Sequence, residues 1–477
     1  MDTGPKTRRR AALCLAVSTC VAATGIPRAL AAPTDTLVQV SADPFNTPGF
    51  EHATEVEPAI AVDGRTIVAA FQVGRAQDGG SVDIGVAMSS NAGATWTASM
   101  LAGTTSVVGG PYGRASDPSV THDTRANVWL VAYLGLTLGG PFDEPTHSAI
   151  EVVRSSDGGG SFGPPVTIAR APRGIIYDKP WIACDEHHES PNFGRCYAVW
   201  DELGLLAGPR DVVLLSTSSD GGMHWSRPVG TADHVHGFGG VPVVRPDGSV
   251  TVVYLDVGRP LHPYIGAFTS TDGGGRWGHS TSVAVPRRSF TRFVVARDPG
   301  LPSVAIDDRG SIWVAWSDCR FEPGCPIDDI VVARSVASAA WSRPVPIAKG
   351  TASTHASLLT PALAAGGRGR HPFLALLYYA VSGIHCGASF QPKGCTVTIG
   401  ATTSSDGGAG WTQPTTIGWP MSVRWFPSTR AGYMWGDYVS VAIAQPGKIV
   451  SVLPLAKRPT RMLDVGMYAS VRWLKER

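Results

Sequence analysis

The stretch Ser218-Ser219-Asp220-Gly221-Gly222-Met223-His224-Trp225 decides how this chain folds. Its pattern, Ser-x-Asp-x-Gly-x-x-aromatic, recurs from Ser155 through Asp157, Gly159 and Phe162, from Ser270 through Asp272, Gly274 and Trp277, and from Ser404 through Asp406, Gly408 and Trp411. Ser89 through Asn91, Gly93 and Trp96 carries the amide in place of the acid. Ser335 through Trp341 is one residue short and has lost both Asp and Gly. This is the chemistry of a hairpin connection. The Asp side chain accepts backbone N–H groups of the turn, and glycine takes positive φ at little steric cost. The aromatic is then placed to plug between neighbouring sheets. One match would be weak, but four full copies and two degenerate ones in phase are strong.

Outward from each corner runs a second repeat: a residue, a proline, a short apolar run, then Asp or Gly. It reads Glu57-Pro58, Asp117-Pro118, Lys179-Pro180, Val241-Pro242, Leu301-Pro302 and Thr360-Pro361, with prolines 60, 62, 62, 60 and 59 residues apart. A copy without proline begins at Asp437-Tyr438-Val439. After each phrase comes an apolar run rich in β-branched and aromatic residues, at 66–71, 128–133, 196–200, 250–255, 312–316 and 373–379. Runs of that length and composition are strands. Each proline is expected at the first residue of its strand, where only a terminal ladder donor is missing.

These residues resemble the Asp-box, or bacterial neuraminidase repeat, and the chain looks like a member of the sialidase-like superfamily over nearly all of residues 37–477. The resemblance implies an all-β propeller of four-stranded antiparallel blades, with the corners between third and fourth strands on the face opposite the active site. The corner aspartates are therefore expected to be structural. Seven inner-strand phrases favour seven blades, with six, the number in the best-known sialidases, as the alternative. The last blade has strands expected at 439–444, 449–453 and 465–471 but no fourth. Thr36-Leu37-Val38-Gln39-Val40 is expected to supply it and close the ring, removing two exposed edges.

Composition narrows the rest. Hydrophobic residues at 43% allow a substantial core, and Gly 56 with Pro 37 argues for many turns and few long helices. A net charge of +2 leaves no nucleic-acid footprint. Arg8-Arg9-Arg10, an apolar run from Ala11 to Ala23 and Ala29-Leu30-Ala31-Ala32 have the order of a cleavable export signal. Residues 1–32 are read as that signal and 33–477 as one domain, secreted, monomeric and without a membrane span. Six cysteines remain in close pairs, Cys184/Cys196, Cys319/Cys325 and Cys386/Cys395, which on an exported chain read as three disulfides.

If the corners mark one face, loops leading into inner strands and loops joining second to third strands build the other. The first class supplies Glu57, Asp117, Asp178, Lys179, Asp437 and Tyr438. The second supplies Arg75 to Asp78, Asp143-Glu144, Asp201-Glu202, Asp256 to His262, Asp318 to Arg320 and Asp328-Asp329. Arg430 lies in the long loop before the seventh phrase. A bowl of carboxylates, arginines and aromatics suits an acidic glycan, because paired carboxylates divide acid and nucleophile roles while arginine forks grip a sugar acid. By the resemblance, Tyr438 with Asp437 is the nucleophile or base, and Asp78 or Asp117 is the acid. Arg75, Asp178, Lys179, Arg320 and Arg430 are expected to bind substrate. No cofactor is expected, with a structural cation such as calcium the one ion allowed for. The family's first arginine is replaced by Val56, and its glutamate partner is absent around Gly240-Val241. Two rival readings follow: a non-catalytic propeller that binds glycan or protein, and a polysaccharide lyase with His234 or His236 as base.

Overall fold

In the computed structural model, the described residues are 1, 36–139, 144–204, 212–258, 263–289, 295–336, 340–367, 371–383, 386, 394–445 and 448–473. Apart from Met1, the expected export signal lies outside them, as do Asp143, residues 259–262 and residues 337–339 of the degenerate corner.

The chain is all-β, laid out as successive antiparallel four-stranded sheets. The first holds Glu51–Asp63, Thr66–Arg75, Ser81–Ser89 and Thr97–Met100, and the second Arg114–Asp123, Val128–Gly139, Glu144–Ser155 and Val166–Arg170. Next come Ile175–Cys184, Cys196–Gly204, Val212–Ser218 and Val229–Gly230, then Gly237–Val244, Val250–Asp256, Tyr264–Ser270 and Thr281–Ala284. The fifth is Ser303–Ile306, Ile312–Asp318, Asp329–Ser335 and Val345–Ala348, and the sixth Ser357–Gly366, Phe373–Ser382, Thr396–Ser404 and Thr415–Ser422. Ser440–Gln445, Lys448–Ala456 and Val465–Trp473 follow, and Thr36–Gln39 pairs antiparallel with the last of these, Thr36 opposite Val471 and Gln39 opposite Tyr468. Single pairs, Thr54 with Val465 and Ser81 with Ala115, link the first sheet to the last and to the second.

Second strands such as Val250–Asp256 are buried along their whole length, because sheets cover them on both faces. One apolar cluster joins Leu130 and Val152 of the second sheet to Ile182 and Trp200 of the third, with Trp225 packed against it. Another joins Val253 and Ile265 of the fourth to Val314 and Trp316 of the fifth.

Every intact corner joins a third strand to a fourth, and the wiring repeats. Ser155 Oγ donates to Asp157 Oδ1 (2.7 Å) and accepts from Gly159 N (2.8 Å), while Asp157 Oδ1 accepts from Ser161 N (2.9 Å). The same three bonds recur around Asp220, Asp272, Asp406 and Asn91. Two consecutive residues take positive φ at each, for example Gly158 at 78° and Gly159 at 88°. The second of them faces the sheet before it: a Cβ on Gly222 would meet Leu130, and one on Gly93 would meet Val471. Three disulfides link Cys184 to Cys196, Cys319 to Cys325 and Cys386 to Cys395. No helix among the described residues is long and apolar enough to cross a membrane.

Pro302 stands immediately before its strand, Ser303–Ile306, but the other prolines do not stand at strand starts. Pro58, Pro118, Pro180 and Pro361 lie inside their strands, each within a register shift, at Val56/Ala59, Ser116/Ser119, Asp178/Trp181 and Leu359/Ala362. A β-bulge skips one rung of the ladder, so the proline's missing N–H costs no hydrogen bond there. In the fourth sheet the bulge falls at Gly239-Gly240, and Pro242 pairs regularly with Val252. The repeat phrase at Val241-Pro242 is therefore displaced from its structural counterpart.

Candidate functional site

Each bulge aims one side chain inward. Glu57, Asp117, Lys179 and Thr360, the residues before the four prolines, sit at φ of 55°, 49°, 49° and 48°. That left-handed backbone costs a non-glycine residue on the order of 1–3 kcal/mol and persists only where the surroundings over-determine it. Three of the four carry charge, and they converge. Lys179 Nζ lies 2.5 Å from Asp117 Oδ1, 2.8 Å from Asp437 Oδ2 and 3.2 Å from Glu57 Oε1. The first, second and third sheets and the segment leading into the last thus meet at one ammonium, and all four groups are buried.

A second layer holds these partners. Arg297 forks onto Asp437, with Nε to Oδ1 at 2.7 Å and Nη2 to Oδ2 at 2.5 Å. Glu57 accepts from Asp437 N (3.1 Å) and from Gln72 Nε2, which also donates to Ser116 Oγ (3.1 Å). Ser116 Oγ donates to Asp117 Oδ2 at 2.6 Å. Arg75 Nη1 donates to Gln72 Oε1 (2.8 Å) and to Gly80 O (3.0 Å).

This arrangement pushes acid strengths apart. Burial alone would raise Asp117 and Asp437, but the charge of Lys179, joined by Arg297 at Asp437, overturns it and holds both carboxyls below their ordinary range. Burial and the neighbouring charge of Asp117 push Glu57 up to about 7 and Asp178 up to about 6. Burial would lower Lys179, yet Asp117, Asp437 and Glu57 together raise it, so it stays an ammonium. Asp178 is half-buried, its Oδ1 accepting from Lys179 N at 2.9 Å. Opposite it across the strand pair stands fully buried Asp201, whose Oδ2 accepts from Gly239 N (2.8 Å). Its Oδ1 has no hydrogen-bond partner. Burial raises Asp201 well above the carboxylate range.

Below this hub the inner strands line a cavity of about 370 Å³, largely aliphatic through Ile60, Val120, Ile182, Val243 and Ile306, with Lys179, Asp437 and Tyr438 at its polar end.

Of the residues singled out in the sequence, the structure brings Asp117, Asp178, Lys179, Asp437 and Tyr438 together, with Arg75 behind them. Tyr438 is buried, and its hydroxyl donates to Pro118 O at 3.0 Å rather than to a carboxylate. Burial, then Glu57 and Asp117, raise it well above its ordinary value, which opposes proton loss. Its ring stands edge-on to Trp181 at 5.0 Å. Asp78 pairs instead with Arg114 (2.5 Å), which also lies over the Phe50 ring. Arg320 grips Asp318 through Nε (2.9 Å) and Nη2 (2.6 Å), and Arg430 is exposed on the turn after Ser428–Thr429. His234 is exposed and His236 half-buried. The sequence reading missed Arg297. Its signal was present, because Asp298-Pro299 just after it copies Asp117-Pro118 upstream of Leu301-Pro302. No group of His, Cys, Asp and Glu among the described residues could hold a metal ion.

No family profile and no curated protein matches this sequence. Among solved structures, the chain is similar to a Hadza microbial sialidase at 11% identity, covering 92% of this chain and 96% of that one, with a TM-score of 0.48. It is similar to an ulvan lyase from a new polysaccharide lyase family at 10% identity, covering 90% and 96%, with a TM-score of 0.49. It is also similar to an α-L-arabinanase of Penicillium chrysogenum at 12% identity, covering 76% and 94%, with a TM-score of 0.43.

Proposed function

We propose that the chain is an exported glycan-cleaving enzyme on a sialidase-like ring of seven sheets, the last completed by Thr36–Gln39 and residues 1–32 serving as the export signal. The observation that carries this reading is the split in acid strength around Lys179. Asp117 and Asp437 stay ionised while half-buried Asp178 holds a proton up to about pH 6. Neighbouring carboxylates pushed apart in this way divide the work of glycoside cleavage. Asp178 protonates the leaving oxygen as the glycosidic bond breaks, the ionised pair stabilises the cation-like sugar, and water adds to the sugar carbon and returns its proton to Asp178. Tyr438 is assigned to holding Trp181 and the hub in place rather than to nucleophilic attack. Three disulfides fit an oxidising destination.

The test is to incubate the purified protein with sialosides, uronate polysaccharides and arabinans, following new reducing ends and unsaturated uronate. Asp178→Asn is expected to lower kcat by roughly 10²–10⁴, the usual share of a general acid. A binding-only propeller is the second reading. It is favoured by one observation: Lys179 and Arg297 both engage the chain's own carboxylates, and Arg75 engages Gln72 and Gly80 O. Binding of a glycan that is never cut would leave that reading standing.

A further inference from the structure

We propose that Glu55 is a proton-controlled latch on the seam between the first sheet and the last: neutral, it keeps the segment from Thr36 to Phe50 docked there, and ionised it lets that segment lift away. The inference goes beyond the glycan-active reading and does not depend on it. The seam is held by few contacts. Thr36–Gln39 pairs with Val465–Trp473, Val40 N donates to Met467 O (2.8 Å), and Thr54 of the first sheet pairs with Val465 of the last. Glu55 joins all three pieces. From the first sheet, its Oε2 accepts from Met467 N of the last sheet (2.9 Å) and from Ser41 Oγ of the docked segment. Met467 N also donates to Ser41 Oγ, at 2.8 Å.

The charges acting on this buried carboxyl are negative: Asp43 from the docked segment and Asp464 from the turn before the last strand. The basic groups nearby are turned to other partners. His52 Nδ1 lies 2.7 Å from Asp43 Oδ2, and Lys457 Nζ donates to Gln39 Oε1 at 3.4 Å. Burial pushes Glu55 up to about 7; hydrogen bonds from Ser41 and Met467 oppose the rise, and Asp43 and Asp464 add to it. Once ionised, Glu55 regains water only if what lies on it moves. The docked segment is the piece able to do so, because from Leu37 to Phe50 only Val40 and Ser41 are buried, and stretches with few buried contacts open first. A carboxyl raised in the folded chain favours the closed seam below its ordinary value of 4.5, and that contribution is lost as pH rises through about 7. The opening bears on the hub as well. Glu57 stands two residues on in the same strand, and Thr54 Oγ1, beside Glu55, accepts from Arg75 N at 2.8 Å.

The experiment is amide hydrogen exchange on the full chain, read by mass spectrometry over a series of pH values. Between about pH 5 and about pH 8, the amides of residues 37–41 are expected to lose protection by roughly one to two orders of magnitude beyond the ordinary base-catalysed rise in exchange. The buried strand Val250–Asp256 should keep its protection over the same range. Glu55→Gln keeps the shape and the acceptor oxygen but cannot ionise, so its seam should hold at both ends of the series. Asp43→Asn with Asp464→Asn leaves the latch in place and removes the like charges beside it, and should cut the loss at least severalfold. That double variant also carries the test if Glu55→Gln does not fold. An undiminished loss in either variant would assign the response to another group, such as the His52–Asp43 pair, and overturn the inference. Protection at 37–41 that does not change with pH, or that is lost together with Val250–Asp256, would do the same.

Discussion

The peripheral corners and the axial hub are built from the same groups, carboxylates facing donors, yet they work at opposite ranges. At a corner, Asp157 takes its bonds from Ser155 and Ser161, within four residues, and is exposed. At the hub, Lys179 reaches Asp117 across 62 residues and Glu57 across 122, and every partner is buried. Asp157 is kept acidic by hydrogen bonds from Ser161 and then Ser155, and Asp117 by an ammonium that outweighs burial. A corner can thus lose its acid and keep its shape, as Asn91 shows with the same wiring. The hub has no such slack, because each member neutralises others that water cannot reach.

The sharpest way to break this contrast is Lys179→Met. Asp117 and Glu57 would lose the ammonium they pair with and Asp437 would keep only Arg297, and unfolding by urea is expected to show a loss of about 3–5 kcal/mol. Lys179→Met with Asp117→Asn together should recover part of that loss, a non-additivity expected of one network. A loss under about 1 kcal/mol, the range of an exposed pair, would put the hub in the same class as the corners.

Next in size is Gly159→Ala. At φ 88° a Cβ would lie 2.5 Å from Val68 Cγ2 of the preceding sheet. Overpacking and left-handed strain together are expected to cost about 2 kcal/mol. The corner is then sensitive in its glycine while tolerant in its acid.

How much of this the chain announces depends on range. Asp157, Gly159 and Phe162 lie within six residues, so the corner is complete in the sequence and only its neighbour is missing. The inner strands were legible in the same way, from the phrases around Pro58, Pro118, Pro180 and Pro361. The bulges at those prolines were not, because a register shift is a property of two strands and the phrase describes one. At the hub, Asp117, Lys179 and Asp437 could be picked out from position, but the charge pairing among them could not. Arg297 finds Asp437 across 140 residues, and no local pattern encodes that separation. Loop position alone points to Arg320 and Arg430, and it says nothing of the nearer carboxylate that captures Arg320.

Asp201→Asn probes the hub through pH. Asp201 carries a carboxyl raised by burial, so its ionisation destabilises the fold and stability falls as pH rises past the ordinary carboxylate value. The variant cannot ionise. It is expected to match the parent near pH 4 and to exceed it by about 1–2 kcal/mol near pH 8, the scale of a buried polar group left without a partner. Equal stabilities at both pH values in thermal unfolding would mean that Asp201 is not held protonated by its surroundings.

The smallest effect is expected from Asn91→Asp, which turns the amide corner into an acid one. Asn91 Oδ1 already accepts from Ser89 Oγ and Thr95 N, both at 2.9 Å, and a carboxylate would strengthen both as charge-assisted bonds. The bond that changes hands is Asn91 Nδ2 to Thr95 Oγ1, 2.7 Å. With an acid there, Thr95 becomes the donor, as Ser161 Oγ is to Asp157 Oδ2 at 2.6 Å. The gain should be a few tenths of a kcal/mol at neutral pH, as for most surface changes. Its gain grows with pH as that of Asp201→Asn does, for the opposite reason: there a carboxyl that opposes folding is removed, here one that favours it is added. Hydrogen bonds lower a corner carboxyl's pKa, so the gain is full above the ordinary carboxylate value and vanishes as the acid takes its proton. Thermal unfolding of parent and variant near pH 7 and near pH 2 checks this directly. A gain that persists in acid would mean that the corner responds to side-chain shape rather than to charge.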